Sequence, residues 1–314
     1  MWVNVFLVVI GLAALVVGGD FLVKGAVGIA VKARLSKLVI GMTVVSFGTS
    51  APELIVSLQS AFDNVPEIAI GNVIGSNIAN LALVLGITVL IFPMPVGLNT
   101  KKFDWPMMMI ASILFYLFAL NLQIERWEGI LMFLLLVGFV SFLIINSRKN
   151  NVRMDEEQID EDIPTGEVNV WKYVGFLALG LVCLFFGSQW LVDGASDLAL
   201  GLGVSKHVIG ITIVAFGTSV PELVTSVVAA YRKETDISVG NLIGSNIFNI
   251  LIVIGLTSAV KPIPIESFVV SSDMIWMLAI SFILLPMMFI GKRIGRVSGV
   301  ILLGAYITYI YLLF

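Results

Sequence analysis

Glu53 and Glu222 are carboxylates set in strongly apolar segments, each preceded by small and hydroxylated residues and a proline. The strings are Gly48-Thr49-Ser50-Ala51-Pro52-Glu53 and Gly217-Thr218-Ser219-Val220-Pro221-Glu222. A second pair adds an amide and another hydroxyl: Gly71-Asn72-Val73-Ile74-Gly75-Ser76-Asn77-Ile78-Ala79-Asn80 and Gly240-Asn241-Leu242-Ile243-Gly244-Ser245-Asn246-Ile247-Phe248-Asn249. One offset of 169 residues relates both pairs, Glu53 to Glu222 and Asn80 to Asn249. Lipid penalises such groups beside Gly or Pro unless they face a cavity and bind something. The strings therefore point to an oxygen-lined cation site drawn from two repeats.

The spacing says how the oxygens are offered. Residues i and i+4 of a helix share a face, so Thr49 and Glu53 point together with Ser50 beside them. Pro52 lacks an N–H and crowds the carbonyl of Gly48, which loosens the helix and frees carbonyls near Ser46 and Thr49 as ligands. Ala215, Thr218, Ser219 and Glu222 repeat the arrangement. Ser76 with Asn80, and Ser245 with Asn249, are again i, i+4 pairs, each joining a hydroxyl to an amide. Interhelical hydrogen bonding is the plain alternative for them. Gly71, Gly75, Gly240 and Gly244 have the spacing of close helix packing. The motif helices contain no Lys or Arg to neutralise the glutamates, so a cation is required. Two carboxylates plus carbonyls, hydroxyls and amides can supply the about six to eight oxygens that Ca²⁺ takes, whereas Mg²⁺ holds its waters in a stricter geometry.

These residues must be positioned inside a bilayer. Apolar residues make up 59% of the chain and charged residues 12%, against about a quarter charged in soluble domains. Mean hydropathy is +1.05. One cysteine, Cys183, excludes an internal disulfide and a Cys-based metal cluster, and one histidine, His207, excludes a His-ligated centre. A net charge of −3 without basic clusters argues against a nucleic-acid surface. The apolar stretch from Val3 to Val17 lacks a basic start and continues into Gly18-Gly19-Asp20, so it reads as a first membrane helix and not a leader.

Breaks at charges and prolines predict ten spans, at roughly 3–31, 38–62, 68–92, 105–122, 128–147, 171–200, 207–230, 237–260, 268–290 and 297–314. The expected fold is an all-α polytopic membrane protein of ten helices, made of two inverted five-helix repeats with motif helices broken at the midplane. The repeats occupy 1–147 (motif region 41–86) and 171–314 (motif region 210–255). A tether at 148–170 carries Asp155, Glu156, Glu157, Asp160, Glu161 and Asp162; a charged linker is a plainer reading for it than a regulatory calcium site. Lys32, Arg34, Lys101, Lys102, Arg148, Arg232, Lys233 and Arg296 fall in alternate loops, which places both termini outside and the acidic tether in the cytoplasm. Five spans per half then oblige the second repeat to enter upside down. Gly18 to Pro95 aligns without a gap on Gly187 to Pro264. Inverted repeats with interrupted helices are a transporter architecture. Asp20, Lys24, Asp193 and Asp197 read as interface or snorkelling residues rather than ligands. Methionines 107 to 109, Trp105, Trp127 and Trp276 read as lipid-facing bulk and interfacial anchors.

Gly-Thr-Ser-x-Pro-Glu followed by Gly-Asn-x-Ile-Gly-Ser-Asn-Ile-x-Asn, in both halves, resembles the alpha repeats of the Na⁺/Ca²⁺ exchangers of the Ca²⁺/cation antiporter superfamily, in their compact prokaryotic form. The resemblance implies a secondary antiporter of the cell inner (plasma) membrane and no enzyme. Ca²⁺ and Na⁺ would be transported substrates, with no resident cofactor and no obligatory protein partner. It assigns Glu53 and Glu222 as central ligands, and backbone oxygens to Thr49, Thr218, Ser46 and Ala215. Hydroxyls of Ser50, Ser76, Ser219 and Ser245 would serve mainly Na⁺, and Asn80 and Asn249 would complete the set. The amide at Asn249, where some relatives carry Asp, favours K⁺-independent exchange. A proton-coupled Ca²⁺ antiporter is the nearest alternative; the Gly-Asn-x-x-Glu pattern of that branch is missing here. A passive channel and a calcium sensor fit less well, since the polar groups converge within one chain and inside the membrane.

Overall fold

The computed structural model describes residues 2–65, 67–149, 170–203, 215–290 and 293–313. The acidic tether, His207 and the start of the seventh expected span lie outside the described residues. What is described is helical apart from two pairs of two-residue strands. Among the described residues seven helices are long and apolar enough to cross a membrane, or eight if the bent pair Lys37–Thr49 and Ala51–Phe62 is one span. Val220–Tyr231 and Arg296–Leu313 are shorter and apolar. The helix expected to begin at 105 begins at Thr100, because Lys101 and Lys102 are carried in a π-helical first turn, Thr100–Asp104.

The chain forms two compact units, and each draws on both halves of the duplication. Residues 1–49 and 140–241 make one; residues 50–139 and 242–314 make the other.

In the first unit, helices Trp2–Ala33 and Val170–Gly201 pack along their lengths through glycines seven residues apart. Gly18 meets Gly180 and Gly11 meets Gly187 in the repeat-related helix, while Gly25 lies against Tyr173 and Leu177, and Gly194 against Asn4 and Leu7. A Cβ on Gly18 would fall 2.9 Å from Leu184 N, and one on Gly180 would fall 2.6 Å from Leu22 N. Membrane helices gain little from expelling water between them, so close backbone approach and the dispersion it brings hold this pair together. Helix Val220–Tyr231 packs on the same first helix, with Val224 and Val228 beside Gly19. Gly41 and Gly240 let another pair of segments meet, since Cβ atoms there would lie 2.8 Å from Ile237 O and 2.6 Å from Leu38 O. Lys37 Nζ and Glu234 Oε1 close that crossing at 2.6 Å.

In the second unit the halves exchange equivalent contacts. Gly86 meets Gly299, and Gly255 meets Gly129. Met94 pairs with Ile294 and Pro95 with Arg293, while Ile263 pairs with Ile124 and Pro264 with Gln123. The segment after the third expected span of each half thus pairs with the segment before the fifth span of the other. Two expectations fail. Among the described residues nothing lies within 4 Å of a Cβ on Gly71 or Gly75, so the packing role holds at Gly240 and not at those two. Met107 and Met108 are buried, not lipid-facing, and Trp105 is tied inward through Nε1 to Ser281 O at 2.8 Å.

Candidate cation-binding site

Both proline-glutamate motifs break their helices at the serine. Ser50 (φ −86°, ψ 3°) precedes helix Ala51–Phe62, and Ser219 (φ −90°, ψ 0°) precedes helix Val220–Tyr231. These angles lie in the sparsely populated bridge region, and the two breaks agree within a few degrees. Each break places a glutamate in the first turn of the following helix, where the positive end of the helix dipole favours a carboxylate. Glu53 and Glu222 are both 0% exposed.

Serine three residues before glutamate is also the spacing of a capping box, in which the hydroxyl would accept a helix N–H. Neither serine does so. Ser50 Oγ and Ser219 Oγ are buried without a hydrogen-bond partner among the described residues. An N-terminal serine that declines to cap and is shut away from water has an oxygen to offer a ligand.

The first unit holds Ser46, Thr49, Ala215, Thr218, Ser219 and Glu222. Ser46 Oγ donates to Gly41 O (2.8 Å) and reaches Asn241 O (3.1 Å). Thr49 Oγ1 donates to Asn241 Oδ1 (3.2 Å), and Asn241 Nδ2 donates to Ser226 Oγ (3.2 Å), one turn beyond Glu222. Asn241 thereby ties the Thr49 segment to the helix that carries Glu222.

The second unit holds Ser50, Glu53, Ser76, Asn80, Ser245 and Asn249, all buried. Asn72 Nδ2 donates to Ser57 Oγ (3.2 Å) and Glu53 O (3.3 Å). This repeats the Asn241–Ser226 clamp of the other half. Asn80 lies in a π-helical turn, Ala79–Val84, and Asn249 opens another, Asn249–Ile254. Such wide turns occur mostly as single-turn bulges inside helices, frequently at functional sites. The Asn249 turn packs against helix Ala51–Phe62 and against Glu67–Ile78. Asn249 Oδ1, Asn246 Oδ1 and both polar atoms of Asn80 are buried without a partner among the described residues.

Asn241 and Ser226 bond within the first unit, and Asn72 with Ser57 and Asn77 with Asn246 within the second; none of the six is among the ligands expected from the sequence. Duplication marks all six, and Ser57, Ser226, Asn72 and Asn241 also lie four residues from Glu53, Glu222, Ser76 and Ser245. Among the described residues no three Asp, Glu, His or Cys groups converge.

The interface reading of Asp20 and Lys24 fits their environment. Arg232 donates through Nε (2.7 Å) and Nη2 to Asp20 Oδ1, and Lys24 Nζ lies 3.3 Å from Asp20 Oδ2. Asp193 and Asp197 are exposed.

The long apolar helices mark a multi-pass membrane protein, and comparison with known proteins gives its family and class. The profile of the sodium/calcium exchanger protein family matches residues 3–145 and 172–314, so the chain belongs to that family, in its compact prokaryotic form. It is 34% identical to the sodium/calcium exchanger MaX1 of Methanosarcina acetivorans over 99% of both chains. It is 33% identical to the inner membrane protein YrbG of Escherichia coli, over 98% of this chain and 96% of that one. Among solved structures it matches the sodium-calcium exchanger NCX_Mj soaked with zero Na⁺ and Ca²⁺, at a TM-score of 0.86 and 31% identity over 98% of both chains. The chain is a cation/Ca²⁺ antiporter whose substrates are the ions themselves.

Proposed function

We propose that the chain exchanges Na⁺ for Ca²⁺ by alternating access and, under an inward Na⁺ gradient, extrudes Ca²⁺. The observation that carries this is the repeated pairing of a buried glutamate with a buried, non-capping serine hydroxyl, at Ser50–Glu53 and Ser219–Glu222. Glu53 and Glu222 are the charged ligands. Ser50, Ser219, Ser76 and Ser245 supply hydroxyls, Asn80 and Asn249 amide oxygens, and Ser46, Thr49, Ala215 and Thr218 backbone oxygens. One Ca²⁺ or several Na⁺ use the same carboxylates. Exchange follows because a site left with two bare charges is too costly to reorient through the membrane. Three Na⁺ per Ca²⁺ would move one net charge, worth about 2.3 kcal/mol per 100 mV.

The architecture in this reading is ten spans in two inverted five-span repeats, with both termini outside and the acidic tether cytoplasmic. The exchanged Gly86–Gly299 and Gly255–Gly129 contacts support the repeat relation. The glycine-packed pair Trp2–Ala33 and Val170–Gly201 is the element that slides to open either side. The cell inner membrane is the expected location, and no protein partner is required.

The test is Ca²⁺ uptake into proteoliposomes loaded with Na⁺ and diluted into Na⁺-free buffer at fixed pH, with K⁺-loaded controls. Uptake from Na⁺-loaded vesicles alone supports the reading. Uptake indifferent to Na⁺ and driven by a pH step overturns it in favour of proton coupling.

A further inference from the structure

We propose that Asn77 is a positioning residue of the cation site, fixing the Asn249 amide so that its oxygen and not its nitrogen is offered as a ligand. The inference rests on the reading above that Asn249 Oδ1 binds the transported cation.

A carboxamide has two ends of nearly equal shape and opposite polarity. A cation site that used one at random would present two N–H donors, the wrong sign of dipole, about half the time. Here the polarity is set by a chain of hydrogen bonds that starts at a group able only to accept. Asn77 Nδ2 donates to the backbone carbonyl of Asn246 at 3.4 Å. The same nitrogen lies 3.8 Å from Met277 Sδ, a weak acceptor, which agrees with a donor at that end. With its nitrogen so committed, Asn77 presents Oδ1 to Asn249, and Asn249 Nδ2 donates to it at 3.1 Å. That leaves Asn249 Oδ1 buried and unpartnered among the described residues. Asn77 and Asn249 are 1% and 0% exposed, so no bulk water competes for either end. Asn246 obeys the same logic, its nitrogen held by Leu242 O at 2.7 Å and its oxygen left over.

The two halves differ in this respect. Asn80 is the repeat counterpart of Asn249, yet neither end of its amide is engaged among the described residues. One half of the ligand set carries a fixed amide oxygen, and the other an amide able to turn toward whichever ion arrives. Loss of Asn77 should weaken the divalent ion more than Na⁺, because a misdirected dipole acts in proportion to the ion's charge.

The test compares Asn77→Leu, Asn249→Ala and the double variant by initial Ca²⁺ uptake in proteoliposomes, with thermal stability measured in detergent. Asn77→Leu should raise the KM for Ca²⁺ about tenfold and leave Vmax within about twofold, the scale of one directed hydrogen bond. In the Asn249→Ala background it should change KM by less than about twofold, since no amide remains to be aimed. If Asn77→Leu does not fold, Asn77→Ser replaces it, its hydroxyl being too short to reach Asn249. The proposal is overturned if the Asn77 variant leaves KM unchanged while Asn249→Ala raises it. It is equally overturned if the two effects multiply, or if only Vmax and stability fall. Asn249→Ala with unchanged dependence on both Ca²⁺ and Na⁺ would remove the ligand assignment itself, and the positioning role with it.

Discussion

Arg232 grips Asp20 with two guanidinium nitrogens, linking the cap of helix Val220–Tyr231 to the middle of the first helix, while Lys24 flanks the same carboxylate. The repeat counterparts of Asp20, Lys24 and Arg232 are Gln189, Asp193 and Asp63, which cannot form an ion pair. The duplicated architecture therefore carries this link in one half only. Breaking it with Asp20→Asn or Arg232→Gln should each lower thermal stability in detergent. The Asp20→Asn/Arg232→Gln double variant should lose less than the sum of the two, by a coupling of about 0.5–1 kcal/mol in a double-mutant cycle. Strict additivity of the single changes would show that the pair contributes nothing.

The glycine seam between Trp2–Ala33 and Val170–Gly201 makes a contrasting pair of predictions. Gly180→Ala places a methyl 2.6 Å from Leu22 N, and backbone cannot step aside as a flexible side chain can. The helices must separate, at a cost of about 1–3 kcal/mol. Gly138, in the interior of helix Arg126–Lys149, has nothing within 4 Å of its Cβ position. Gly138→Ala should be neutral or stabilising by up to about 1 kcal/mol, through helix propensity. Thermal denaturation of the two variants side by side checks both signs.

Ser50→Ala and Ser219→Ala separate a ligand from a helix cap. Loss of a capping serine usually costs about 1 kcal/mol, but neither hydroxyl caps its helix. Stability should change by less than about 0.5 kcal/mol. The half-saturating Na⁺ concentration should nevertheless rise several-fold, because a buried oxygen ligand has gone. A Na⁺ dependence that stays put while the melting temperature drops would return both serines to a structural role.

The strings around Glu53 and Glu222 were legible because duplication filters chance: a proline beside a buried carboxylate is unremarkable once and informative twice. Helical periodicity then picked Ser76 and Asn80 as partners, but it could not see Asn77. The role of Asn77 is set by Asn246 and Asn249, some 170 residues away in sequence. The π-helical turns at Ala79–Val84 and Asn249–Ile254 were hidden for a related reason, since their i→i+5 bonding is set by what packs around the helix. Asp104 was passed over because Lys101 and Lys102 made its surroundings look like a loop, yet it is 1% exposed. The seven-residue glycine stripe stood in plain view in both halves; only the crossing of two distant helices shows what it is for.

Glu53 and Glu222 carry the strongest prediction. Both side chains are fully buried, and both sit at helix starts that favour negative charge. Glu53→Gln or Glu222→Gln preserves shape and removes the charge that a cation must meet. Each should depress Na⁺-driven Ca²⁺ exchange by about a hundredfold or more, equivalent to about 2.7 kcal/mol. Folding should survive, because a neutral amide is cheaper to bury than a carboxylate. Melting temperature and gel filtration in detergent should therefore match or exceed the parent. Glu→Asp at either site keeps the charge but withdraws it by one methylene, so it should retain measurable exchange with a raised KM for Ca²⁺. If both glutamine variants exchanged Ca²⁺ at the parental rate, the ions would be held elsewhere, and two buried carboxylates would be left without a purpose that repays their cost in the membrane.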